Sequence, residues 1–123
     1  MQAETLLLRQ VHPSFVQDGR PSSQAFVPTK KDDFKLSVYN GDKTEPERSW
    51  KHYTTELKRE SAGVIAVTAG ECAGEQLSAV DDGVPYPEHC YIDFRNLSNG
   101  VIKKKADNLA ALARGRGWLF WAS

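Results

Sequence analysis

The stretch that decides the fold is His89–Trp121, HCYIDFRNLSNGVIKKKADNLAALARGRGWLFW. It opens on five or six residues with Cys90, Ile92 and Phe94 on one side and His89, Tyr91 and Asp93 on the other, the two-residue period of a half-buried strand. Ser98 then stands where a helix N-cap belongs, and Ile102, Ala106, Leu109 and Ala113, widened by Val101 and Leu112, make the inward stripe of a helix over 99–114. Gly115 and Gly117 end it. Trp118-Leu119-Phe120-Trp121 finishes as a strand or a docked apolar tail.

Working upstream, strands cluster. Thr5–Val11 is apolar through Leu6, Leu7 and Leu8 and stops before Pro13, and Gln24–Val27 is a short strand candidate stopped by Pro28. Phe34–Tyr39 alternates, Gly63–Thr68 is β-branched and uncharged, and Leu77–Val80 is a further short strand, after a turn of at most one helical turn. Residues 12–23, HPSFVQDGRPSS, read as a loop, as does the acidic, Pro-rich DDGVPYPE of 81–88. Thr44, Pro46 and Glu47 give the start signals of a second helix, whose inward side is Trp50, Tyr53, Thr54 and Leu57 and whose outward side carries His52. Strands that do not alternate strictly with helices predict an α+β fold. The expectation is one domain over 1–123, with a mostly antiparallel or mixed sheet of about five to six strands and two main helices.

Composition narrows the function classes. The hydrophobic fraction of 40% and charged fraction of 26% are those of a globular chain that can bury its own core. Sixteen basic residues balance sixteen acidic ones, so the chain lacks the overall positive field of a dedicated DNA binder. The charge is uneven, however. Six acids stand in Glu71–Asp93 without a Lys or Arg, and six basic residues stand against Asp107 alone after it. No apolar run approaches the length of a membrane span, and MQAET lacks the basic leader of a signal peptide. A cytoplasmic address is expected, with Cys72 and Cys90 reduced rather than bridged.

The densest polar constellation is Arg9, His12, Ser22, Ser23, Lys30, Lys31, Asp32, Asp33 and Ser37. Arg9, His12, Ser22, Ser23 and Asp33 are the ligand-binding candidates: an Arg suits a phosphate or carboxylate, and a His carries protons near neutrality. The competing reading is an ordinary strand end and a solvated turn, since no nucleophile elbow, phosphate loop or metal-binding helix is present. His12, His52, His89, Cys72 and Cys90 show no metal-ligand spacing, and His89 and Cys90 diverge on a strand. No metal and no cofactor is expected. For a cysteine nucleophile Cys72, near a turn, is the better exposed thiol, without an identified base.

Lys103, Lys104, Arg114 and Arg116 are the nucleic-acid candidates, with Trp118 and Trp121 as stacking groups. Consecutive lysines fan round a helix at about 100° per step, so they do not share one groove. Four large apolar residues in a row cannot all face one core from a strand. Trp118, Phe120 and Trp121 are therefore also interface candidates, for a second copy or a protein partner.

Residues 12–38 and 87–120 resemble small hypothetical bacterial proteins with no assigned function. The resemblance implies a bacterial cytosolic protein and no catalytic residues. The leading expectation is a non-catalytic binding or interaction module that oligomerises or docks to a partner. The alternatives are a small enzyme on a nucleotide or phosphorylated substrate, ADP-ribosyltransferase-like by fold-level analogy, and a nucleic-acid-binding protein using the basic C-terminal helix.

Overall fold

In the computed structural model, which describes residues 1–122, the alternating stretches become strands. They are β1 (Leu6–Val11), β2 (Val16–Gln17), β3 (Arg20–Pro21), β4 (Lys35–Asn40), β5 (Gly63–Thr68), β6 (Ser78–Val80), β7 (His89–Asp93) and β8 (Phe120–Trp121). Six form one sheet in the order β6-β7-β4-β1-β5-β8, with every neighbour antiparallel. The remaining pair, β2 and β3, is a tiny hairpin inside the loop expected at 12–23. Its turn residues Asp18 and Gly19 both have positive φ, as a two-residue type I′ connection requires. The architecture is α+β.

The long helix α3 (Asn99–Arg116) begins as its sequence predicts, the Ser98 hydroxyl accepting from the Val101 N–H. It runs through Gly115 and ends at Gly117, whose φ of 87° only glycine adopts freely. Ile102, Ala106, Leu109, Ala110 and Ala113 are buried against Leu7, Val38, Ile65, Val67 and Ile92 of the sheet. Val101 and Leu112, expected to widen the stripe, are exposed: the covered arc is narrower, and Ala110 sits in it instead.

Several local readings give way to longer-range packing. Gln24–Val27 is no strand. It lies between Pro21 and Pro28 and closes its own hydrogen bonds as a 3₁₀ turn over Ser23–Phe26 (Ala25 N–H to Ser22 O, Val27 N–H to Gln24 O). Thr44 and Glu47 form no capping box, because α1 (Pro46–Lys51) starts directly at its proline behind Glu45. The capping box is at α2 (Ala69–Gly74), between Thr68 and Glu71. Beyond Lys51, α1 widens into a π-helical turn (His52–Glu56) that brings His52 inward, against expectation, to bond the Tyr39 hydroxyl at 2.7 Å. Cys72 is likewise fully buried rather than the more exposed thiol, because α2 turns it into the core. Burial pushes both thiols up to about 12, which leaves neither as a thiolate near neutrality.

The second face of the sheet carries Leu8, Tyr39, Val64 and Ala66 beneath Trp50, Tyr53, Tyr86, Leu119 and Phe120. Gly63 lets β8 cross closely there. A Cβ on it would lie 2.5 Å from the Phe120 carbonyl oxygen and 2.9 Å from the Trp118 ring. Gly63→Ala is therefore expected to displace β8 and cost about 1–3 kcal/mol, read as a lowered urea midpoint with altered tryptophan fluorescence. Among the described residues no helix is long and apolar enough to cross a membrane.

Candidate functional site

The sheet is not uniformly paired. β1 is in register with β5 over all six of its residues, and β4 with β7 from Lys35 opposite Asp93 to Tyr39 opposite His89. Between them, β1 and β4 pair only at Leu7 with Asn40 and Leu8 with Tyr39. Past these two positions the central strands splay, and backbone groups that a ladder would satisfy need other partners. Arg9 supplies one. Its Nη1 donates to the Ser37 carbonyl at 2.9 Å and its Nε to the Ala25 carbonyl at 2.7 Å, so one side chain ties β4 and the 23–26 turn to β1.

Above the splay lies a cavity of about 330 Å³. Its floor is β1 and β4, with Leu8, Arg9, Ser37 and Tyr39. Its walls are Tyr53, Leu57 and Arg59 on one side and Pro85, Tyr86 and His89 on the other. Lys35 and Asp32 also line it. Three cations thus face one carboxylate. Arg9 forms no ion pair with a carboxylate among the described residues. Burial pulls its guanidinium below the ordinary arginine value, with Tyr53 and Asp32 opposing, yet an arginine remains charged at neutral pH.

The aromatic wall is continuous. Tyr39 stacks on Tyr86 with centroids 5.3 Å apart, and Tyr86 meets the rings of His52 at 4.6 Å and His89 at 5.4 Å, both edge-on. Burial raises the pKa of Tyr39 and of Tyr86, keeping both phenols neutral, although a bond to Tyr39 and the nearby Arg59 partly offset the rise for Tyr86.

His89 belongs to a second network. The 81–88 loop folds back on it: His89 N–H donates to the Tyr86 carbonyl, and Gly83 N–H to the His89 carbonyl. Lys43 holds Asp81 at 3.2 Å, while the neighbouring Asp82 turns to His89. Asp82 Oδ1 lies 2.6 Å from His89 Nδ1, and Ser37 Oγ lies 3.1 Å from His89 Nε2. With Asp82 ionised, Nδ1 carries the proton and Nε2 accepts from the Ser37 hydroxyl. Strand register explains the meeting: Ser37 faces Tyr91 across the ladder, so His89, two residues away, is its diagonal neighbour on the same face.

Of the five ligand-binding candidates only Arg9 enters this cavity. From the wider polar constellation Asp32 and Ser37 join it. His12 caps the 3₁₀ turn of Pro13–Phe15 through Nδ1 and reaches Glu60 at 3.9 Å. Ser22 buries its hydroxyl without a hydrogen-bond partner. Ser23 lines a separate recess with Lys103 and Asp107, and Asp33 sits in a left-handed turn 3.9 Å from Arg95. Tyr39, Tyr53, Arg59, Asp82, Tyr86 and His89 lie outside the ligand-binding candidates of the sequence, because what unites them is register and loop closure rather than spacing.

The basic helix uses several of its charges on its own chain. Arg114 donates to the Pro21 carbonyl, Arg116 pairs with Glu71 at 3.0 Å and also bonds the Ala66 carbonyl, and Lys105 reaches the Glu75 carbonyl. Lys103 and Lys104 remain exposed. At the C-terminal end Trp118 packs on the core and donates to the Gly19 carbonyl, Phe120 packs against Trp50, and Trp121 is 42% exposed on the edge strand. Among the described residues no three His, Cys, Asp or Glu side chains gather as a metal cage. Compared with known proteins, the chain matches no family model, no curated protein and no solved structure.

Proposed function

We propose that the cavity between β1 and β4 binds a small molecule bearing an oxyanion (a phosphate monoester or a carboxylate) next to a flat apolar group. The observation that carries this reading is Arg9: a half-buried guanidinium facing a cavity, fixed by two carbonyls and without a carboxylate partner. Two carbonyl bonds occupy part of its five-donor fork and leave N–H groups for a planar anion. Arg59 and Lys35 add positive charge, and the neutral Tyr39, Tyr53 and Tyr86 offer rings for the apolar part. The volume is at the small end of the range for ligand pockets, which suits a metabolite rather than a polymer. Two unpaired, buried cysteines fit work in the reducing cytoplasm.

The test is a calorimetric titration with phenyl phosphate, phenol and inorganic phosphate. Phenyl phosphate is expected to bind at least tenfold more tightly than either of the others, and more weakly as salt rises. Equal affinity for phenol, or no binding of phenyl phosphate at millimolar concentration, would count decisively against an oxyanion site.

A further inference from the structure

We propose that Ser37, His89 and Asp82 form a nucleophilic relay that makes the cavity an acyl-transfer site for small anionic carboxylic esters; the ester's charge rests on the oxyanion site proposed above. Three groups that chemistry requires are already in order. Ser37 Oγ is within hydrogen-bond reach of His89 Nε2, and Asp82 holds the far ring nitrogen at 2.6 Å, which sets the tautomer that leaves Nε2 free to take a proton. The imidazole is nearly enclosed, its side chain 11% exposed, whereas Ser37 opens to the cavity. The arrangement is also held from behind. Arg9 bonds the Ser37 carbonyl, which tethers the nucleophile's backbone to β1 and lets the same guanidinium hold the ester's anionic group within reach of Ser37.

The step balances without any further reagent than water. Ser37 Oγ forms a bond to the ester carbonyl carbon while its proton passes to His89 Nε2, and the carbonyl π pair moves onto oxygen. Collapse of that oxyanion restores the carbonyl and breaks the bond to the leaving oxygen, which takes the proton from His89. Water, deprotonated by the same Nε2, then attacks the acyl-Ser37 carbonyl; the bond to Oγ breaks and the proton returns to Ser37. Asp82 is a positioning residue: it orients the ring and stabilises its charged form without touching substrate.

The test uses the full chain and a fluorophosphonate, followed by intact mass and peptide mapping. One adduct on Ser37 is expected, with loss of fluoride. Ser37→Ala should abolish it, and Asp82→Asn, checked as folded by its tryptophan fluorescence, should slow it by roughly 10²–10⁴-fold, as should His89→Gln. In parallel, the mono-p-nitrophenyl ester of terephthalic acid, whose para carboxylate cannot reach its own ester, should be cleaved faster than neutral p-nitrophenyl benzoate, each rate taken over that of Ser37→Ala. An adduct on another residue, no adduct, or a labelling rate unchanged in Asp82→Asn would overturn the relay. Phenyl phosphate binding by Ser37→Ala keeps the two readings apart. If it binds while wild-type protein takes no label, the cavity stands and the relay falls. If Ser37 is labelled and cleavage is the same for both esters, the relay stands and the anionic substrate class falls.

Discussion

Phe26→Ala is expected to destabilise the protein by about 3–5 kcal/mol, the range for removing a fully enclosed aromatic ring. Phe26 has no exposed surface and is among the largest fully buried side chains. It sits on the 23–26 turn, which pairs with no strand, packed in the cluster that α3 and the sheet build together. The ring therefore supplies most of the burial that holds this turn down. The turn in turn presents the Ala25 carbonyl to Arg9, so the damage reaches the cavity floor. Urea unfolding followed by tryptophan fluorescence should show the loss, with a melting temperature roughly 10–20 °C lower. Phe26→Leu, which keeps most of the volume, should cost less than about 1.5 kcal/mol. A loss below about 1 kcal/mol for Phe26→Ala would show that the turn is not part of the core.

Arg9→Gln is the second large effect, and it falls on binding. The amide is too short to span from β1 to both the Ala25 and Ser37 carbonyls and carries no charge for an oxyanion. Phenyl phosphate affinity is expected to fall by 10- to 100-fold, about 1.4–2.7 kcal/mol, the size of a lost charge-assisted hydrogen bond. Arg9→Lys should fall between, because an ammonium keeps the charge without the planar fork. Two opposed terms bear on stability. Two carbonyls lose a donor, while the cost of holding a desolvated cation disappears, so the net loss is expected at about 1–2 kcal/mol. Calorimetry with thermal unfolding of the same samples separates the two quantities. Unchanged affinity in a folded Arg9→Gln protein would remove Arg9 from the site.

Much of the scaffold was legible residue by residue. The alternation at 34–39 and 89–94, the uncharged β-branched run at 63–68, and the helix start at Ser98 all rest on contacts within a few positions, and all appear in the structure. The misreadings share one cause. Gln24–Val27 has strand-like residues yet packs Ala25 and Phe26 into the core as a 3₁₀ turn, and Cys72, which the sequence sets near a turn, is carried into the core by α2. Arg9 and Ser37 were visible as polar residues on strands. Their use was not, because it depends on where β4 stops pairing with β1.

Chain-local order alone therefore set the α+β class, the antiparallel tendency of the strands and the inward stripe of α3, since propensity, period and capping act between near neighbours. Tertiary structure decided the splay, the orphaned arginine and the meeting of Ser37 with His89, which lie 52 positions apart. Strand register is chosen by the burial of whole faces and the closure of distant loops, and no short window of sequence contains that balance.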